Sequence, residues 1–352
     1  MFHGSYNPGD VDFLMRIIDL EETPIDQKES FIQAKKFHYS EMISPEYRPD
    51  KRYLDLFYQA MHMNKDRVTN DLLSLAKYYS QLSNPIIVSL ARAGTPIGVI
   101  LKRMLLRFFN LDIPHYSISI IKDRGIDEAA LLHILRNHPD CTITFLDGWV
   151  SKGSIAGELK KSIGSFNKKY QFDLDDHLHA ISDISGNAYV TVTNEDYLIP
   201  SAILNSVISG LVSRSIYTAE MAVDGGFHGC KYYSELLDMD LSRWYVDEIM
   251  TRADDLFVNN ETSIQVGGNS FLKERISRFI ESFAIEHNIT NHELIKPGIG
   301  EATRALLRRV PKFLLVQDVS HIDVAHILHL CEQRKVKVSL SKDLPFKAMA
   351  VL

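Results

Sequence analysis

Only three cysteines occur in the 352 residues, Cys141, Cys230 and Cys331, roughly 90 to 100 positions apart. That spacing excludes a disulfide framework and a close-set zinc motif. Long apolar runs are missing too: none approaches the ~18 residues that a membrane-spanning helix needs. Neither sign of charge dominates. Against 39 Lys+Arg stand 45 Asp+Glu, a net of −6 with a pI of about 6.2, so the chain as a whole is no basic nucleic-acid coat. The opening Met1-Phe2-His3-Gly4-Ser5-Tyr6-Asn7 has neither a basic stretch nor an apolar one, so no secretory signal is read there and a cytoplasmic location is expected. No internal repeat or low-complexity tract appears. What remains is a globular composition, 45% hydrophobic and 24% charged, long enough for two or three domains.

Charge is unevenly spread. Residues 298–352 carry nine Lys+Arg against five Asp+Glu, whereas the preceding 297 carry 30 against 40. The change of sign suggests a module boundary near the C-terminus. Upstream, Asp50 to Leu82 has apolar residues at helical spacing. From Asn84-Pro85 the chain alternates short β-branched runs with helical stretches: Ile86–Leu90 then Ile97–Phe109, Tyr116–Ile121 then Asp127–Arg136, Cys141–Leu146 then Ser154–Ile163. Such alternation implies βαβ crossovers, a parallel sheet flanked by helices, and ligands at the carboxyl ends of the strands. Further strands are expected at His179–Ile184 and Ala188–Thr193, an amphipathic helix over 200–214 and a polar linker over 254–268.

Three loops carry candidate chemistry. Asp147-Gly148-Trp149-Val150-Ser151-Lys152-Gly153-Ser154 places an acid at a strand end and small residues before a helix, where backbone N–H groups can cradle a phosphate. Ser151 and Ser154 add hydroxyls, Lys152 a charge, and Asp147 a group for ribose hydroxyls or a magnesium shell. Ser89-Leu90-Ala91-Arg92-Ala93-Gly94-Thr95, some 50 residues earlier, offers a small-residue turn with a guanidinium. Lys122-Asp123-Arg124-Gly125 is a charged loop between them. Each has a plainer alternative: a strand-to-helix turn, a helix cap at Thr95, an exposed charged turn.

This constellation resembles the PRPP-binding and diphosphate-binding loops of type I phosphoribosyltransferases, with Gly148 where a second acid is usual. More narrowly, Ser89–Thr95, Lys122–Asp127, Leu146–Gly153, Ile199–Asn205, Ser209–Arg214 and Gly226–Gly229 resemble the StiP family, a bacterial phosphoribosyltransferase-like group of stress and tellurite-resistance-type operons. The resemblance implies magnesium-dependent transfer of ribose 5-phosphate from PRPP to an unnamed acceptor. Asp147, Lys152, Lys122 and Arg124 would then be catalytic, and the amides of Ala91, Ala93, Gly94, Gly148, Trp149, Val150 and Gly153 would join Ser89, Arg92, Thr95, Ser151 and Ser154 on the phosphates. Asp183, Asp196, Ser201 and Asn205 would form the acceptor pocket.

The C-terminal stretch resembles a Pelota-type RNA-binding fold, on Lys296-Pro-Gly-Ile-Gly-Glu-Ala-Thr-Arg304 and the segments to Val338. That likeness implies contact with structured RNA through Lys296, Gly298, Gly300, Glu301 and Arg304. The expected domains are therefore 1–250 (core 84–215, helical region 1–83), a linker or helix at 251–290, and 291–352, in a protein with no membrane partner and with a homodimer left open. Two alternatives stand beside the transferase: a non-catalytic nucleotide sensor that docks on RNA, and a cysteine hydrolase using Cys230 with His228. The last is set aside because no third, orienting residue is evident. Asp173–His179 offers carboxylates and imidazoles for a metal, with a solvated turn as the simpler reading.

Overall fold

A computed structural model describes all residues except Lys35, Glu261 and Thr262, and Gln33 by its backbone only. Strands β1 (Asp12–Phe13) and β2 (Arg16–Ile17) precede helix α1 (Ile25–Gln33) and the 29-residue helix α2 (Lys51–Tyr79). The central region runs β3 (Pro85–Leu90), α3 (Gly94–Phe109), β4 (His115–Ile118), the hairpin β5 (Ile120–Ile121) and β6 (Gly125–Ile126), α4 (Glu128–Asn137), β7 (Thr142–Val150), α5 (Ser154–Tyr170), β8 (Leu178–Asp183) and β9 (Val190–Thr193). Next come α6 (Ala219–Asp224), β10 (Gly229–Cys230), α7 (Ser242–Leu256), β11 (Gln265–Val266) and α8 (Ser270–Glu286). The chain ends with β12 (Ile295–Pro297), α9 (Ile299–Arg308), β13 (Phe313–Val316), α10 (Ala325–Arg334), β14 (Lys337–Leu340) and β15 (Ala348–Val351).

The large sheet has the order β1-β4-β3-β7-β8-β9-β11, parallel throughout except for β11. Alternation along β3 sends Ile87 toward one layer and Ile86, Val88 and Leu90 toward the other, as a period of two requires. One layer is α2, α3 and α7; the other is α4 and α5. Burial on both faces explains why β3 is an unbroken apolar run. Asp50 caps α2 by accepting from the Tyr53 amide, and Asp127 caps α4 through Ala130.

The second sheet is β12-β15-β13-β14, with β13 and β14 parallel. Helix α8 covers one face, packing Ile280 and Phe283 against Phe346, Met349 and Val351. The 270–286 helix, within the stretch expected to be a linker or helix, thus packs as part of the C-terminal unit. On the other face α9 and α10 join the same apolar cluster as α2, α3 and α7. The two sheets therefore share a continuous core.

Three other expectations change. Strand β7 runs on to Val150 rather than ending at Leu146. Residues 200–214 form 3-10 turns at Pro200–Ala202 and Ser206–Ile208, not an amphipathic helix. Ile203, Leu204, Val207 and Leu211 are all enclosed, and Gly210 and Leu211 take positive φ, so the apolar periodicity marks a segment buried on every side. The expected polar linker is α7 to Leu256 and β11, with Glu261 and Thr262 outside the described residues.

Gly94 opens α3 so close to β7 that a Cβ there would lie 2.3 Å from the Leu146 carbonyl oxygen. Gly157, inside α5, has open space around its Cβ position. Gly94→Ala is expected to cost about 1–3 kcal/mol in urea unfolding, because backbone cannot yield as a side chain would. Gly157→Ala is expected to add about 0.5–1 kcal/mol. Equal effects at both sites would remove this account of the α3–β7 contact.

Candidate functional site

Parallel strands direct β3, β7 and β8 toward one edge, and their following loops meet the C-terminal unit there. Between them lies a cavity of about 690 Å³, lined by eight Lys and Arg side chains and five carboxylates from α1, the β7–α5 loop, Arg214, the 291–297 segment and α9.

The β7–α5 loop forms one wall. Asp147 is 7% exposed and accepts from the Gly148 amide at 2.8 Å; burial pushes its carboxyl up to about 6, against the nearby Arg304. Gly153, at φ +83°, closes against Asn187 and starts α5. Beside this helix start lies Glu293, a protein carboxylate, where a phosphate was expected. Its oxygens lie 2.5 Å from Lys122 Nζ, 3.3 Å from Lys152 Nζ and 3.4 Å from Ser154 Oγ. Burial alone would raise the Glu293 pKa, but Lys152 and Lys122 overcome it and hold the carboxyl at about 2. Lys152 is lowered to about 8 by burial and by Lys296, while Glu293 opposes the shift. Sequence reading passed over Glu293, for nothing local marks it.

The other two loops are likewise engaged. The Ala91–Arg92 peptide is cis. Ser89 Oγ is 2.8 Å from His115 Nε2 and Thr95 Oγ1 is 2.8 Å from Ser117 Oγ, so both hydroxyls are bonded inside the core. Ala93, not Thr95, is the residue before the first turn of α3. Arg92 is 5% exposed and donates to Glu46 and the Val212 carbonyl. In the β5–β6 hairpin, Arg124 pairs with Glu41 and donates to the Tyr217 carbonyl, and the Lys122 amide donates to Tyr39. The expected cationic loop is a braced hairpin.

The four acceptor-pocket residues do not form one pocket. Asp183 braces a turn, accepting from the Ser185 and Ala188 amides. Asp196 accepts from the Ile299 amide at 2.9 Å and the Lys347 amide at 2.8 Å, clamping the C-terminal unit. Ser201 is buried, and Asn205 accepts from Arg308 at 3.2 Å.

The expected RNA-contact turn is covered by the end of β7. Trp149 lies against α9, with its Nε1 2.3 Å from where a Cβ of Gly300 would be. Arg304 stacks 4.8 Å from the Trp149 ring centroid and pairs with Glu301 at 3.3 Å. Gly298, at φ +81°, contacts Ile184, and Lys296 lines the cavity. The phosphate and RNA sites expected in separate domains therefore share one cleft.

Residues for a magnesium ion do not fit. Asp147 is a single buried carboxyl raised in pKa and opposed by Arg304, and among the described residues no group of three His, Cys, Asp or Glu is placed to hold a metal. In the 173–179 stretch, His177 stacks on Tyr189 and His179 bonds Tyr79 at 2.8 Å inside the core.

Cys141 begins at the amino end of β7, away from the cavity, and Cys331 is packed on α10. Cys230, on β10, is 0% exposed, and burial pushes its thiol up to about 12. His228, two residues earlier, lies 2.7 Å from Ser119 Oγ through Nδ1 and lines a second cleft of about 560 Å³; burial, with Arg16 and Arg124, lowers its pKa to about 4.

A parallel α/β unit joined to a small mixed-sheet unit is the class this arrangement defines. Residues 4–250 match the family described as tellurite-like stress resistance cysteine protease StiP, and residues 275–352 match the PELOTA RNA binding domain. The chain is 36% identical over 363 aligned positions to the Cysteine protease StiP of Acinetobacter baylyi, covering 100% of this chain and 94% of that protein. The chain belongs to the StiP family. Two solved structures are more distant: a hypothetical protein from Neisseria gonorrhoeae with bound ppGpp (13% identical, 34% of this chain and 67% of that one, TM-score 0.20) and a hypoxanthine-guanine-xanthine phosphoribosyltransferase (14%, 38% and 77%, TM-score 0.21). Likeness at that level carries no function.

The comparisons correct the expected activity. A full-length relative named a cysteine protease overturns the PRPP transferase reading, with its glycosyl-transfer chemistry, and favours the cysteine-hydrolase alternative that sequence reading had set aside.

Because Glu293 is held below its ordinary range, its pairing contributes stability above the unfolded carboxyl pKa and loses it as pH falls toward about 2. The stability difference between wild type and Glu293→Gln, followed by urea unfolding, is expected to shrink from pH 5 to pH 2.5. A pH-independent difference would detach Glu293 from its lysines.

Proposed function

We propose that the chain is a thiol-dependent peptide hydrolase of the stress-resistance type named in its full-length relative, with Cys230 as nucleophile and His228 as base. The observation that carries this is the 36% identity across the whole chain to a protein named a cysteine protease. Locally, Cys230 and His228 stand at i and i+2 around a short strand, which favours the same face. A neutral imidazole bordering a cleft suits a general base. The closed thiol means that substrate access requires the β2–β10 pair to move aside, exposing a group that is un-ionised at rest. The order β4-β3-β7-β8 supports a phosphoribosyltransferase-like arrangement as a fold alone.

Peptide hydrolysis by the full chain tests this. Cys230→Ser and His228→Gln are each expected to lower the rate by at least about a hundredfold, the scale of a lost base or nucleophile. Cys141→Ser and Cys331→Ser leave it near wild type. Wild-type turnover by Cys230→Ser would overturn the assignment.

A second reading concerns α9. The match to an RNA-binding domain supports contact between structured RNA and Lys296, Gly298 and Arg304, in competition with the Trp149 contact. Trp149→Ala is then expected to tighten gel-shift binding to a kink-turn RNA, and Lys296→Ala to lower the salt slope by about one. Weaker binding by Trp149→Ala would reject the competition.

A further inference from the structure

Of the cavity's eight cations, Lys122 and Lys152 are paired with Glu293, Arg304 with Glu301, and Arg309 with Glu29, while Lys296 acts on Glu293 and Glu301 without a direct ion pair among the described residues. At the inner wall, among the described residues, Lys28, Arg214 and Arg308 form no ion pair. Lys28, from α1, is 7% exposed and makes no side-chain hydrogen bond among the described residues. Arg214 donates through Nη2 to the Tyr39 and Met42 carbonyls, leaving Nη1 buried without a partner. Arg308, from α9, has the neutral Asn205 amide oxygen at 3.2 Å. All three line both the large cavity and a smaller adjoining void with Arg92, whose own charge is met by Glu46.

We propose that Lys28, Arg214 and Arg308 form a binding site for a condensed phosphate, the diphosphate or triphosphate group of a small molecule. Three cations from three chain segments face one space in which the nearby carboxylates, Glu29 and Glu46, are ion-paired with Arg309 and Arg92, so positive charge remains in excess and is costly unless an anion accompanies it. The guanidinium groups cannot relieve that cost by losing a proton. Burial first, then Arg214, Arg308 and Arg309, drives the Lys28 ammonium down to about 6, so a bound polyanion would restore its charge. Adjacent phosphates match this convergence better than a single carboxylate, for each guanidinium can grip a phosphate in fork geometry. Ile25, Ile32 and Phe37 line the same cavity and offer an apolar wall to the rest of the ligand. A volume of about 690 Å³ suits a small molecule, and the burial of Lys28 excludes a nucleic-acid helix from the site.

The proposal is independent of the peptide-hydrolase assignment. Its test is calorimetric titration of the full chain with inorganic tripolyphosphate, with orthophosphate and sulfate at matched ionic strength. Saturable one-to-one binding is expected, roughly tenfold or more tighter for tripolyphosphate than for orthophosphate. Lys28→Met and Arg308→Gln should each weaken it by roughly tenfold or more, while Lys160→Ala, exposed on α5, leaves it unchanged. Absence of one-to-one binding at millimolar tripolyphosphate overturns the proposal, as does equal affinity for orthophosphate or wild-type affinity in Lys28→Met. Should Arg308→Gln fail to fold by circular dichroism, Lys28→Met decides, because it removes a desolvated charge and keeps the side-chain length.

Discussion

Asp196 holds two backbone amides of the C-terminal unit, those of Ile299 and Lys347, while Trp149 lies against the first turn of α9. The rest of the cleft depends on this clamp. It brings a helix start carrying Arg304 and Arg308 against the ends of β7 and β8, and so encloses charge that either unit alone would leave in water. Gly300 is part of the same constraint: a Cβ there would collide with the indole. Burial pushes the Asp196 carboxyl up to about 6, and the amides that each oxygen accepts offset only part of that desolvation.

Enclosure changes what each ion pair is worth. Lys122 and Lys152 share one carboxylate, Glu293, at the start of α5, a place where the helix dipole also favours negative charge. The protein supplies its own anion there, which is why the loop resembles a phosphate cradle yet meets a glutamate. Deeper in, Glu29 and Glu46 are ion-paired with Arg309 and Arg92, and among the described residues no direct ion pair is made by Lys28, Arg214 or Arg308. Positive charge thus exceeds negative along the inner wall of the cavity.

The cysteines follow a different logic. Burial pushes the Cys230 thiol up to about 12 and makes it a core group, beside the short β2–β10 pairing. That pairing covers two residues on each side, so it is held by few hydrogen bonds.

Local pattern alone specified the alternating strands and helices from Ile86 to Ile163 and the sign change at the C-terminal unit, while the caps at Asp50 and Asp127 came from the structure and the cap expected at Thr95 falls instead at Ala93. These depend on periodicity and on side chains acting within four residues of themselves. Residues 200–214 were misread because an apolar run enclosed on all sides imitates an amphipathic helix. The partners Glu46, Glu293 and Trp149 lie 46, 141 and 155 positions away from Arg92, Lys152 and Arg304, distances that no spacing rule spans. Side-chain chemistry was legible in one dimension. Whether each charge met an anion, a carbonyl or an empty cavity was decided only when the second sheet packed onto the first, because electrostatic cost is set by burial and burial is a property of the whole fold.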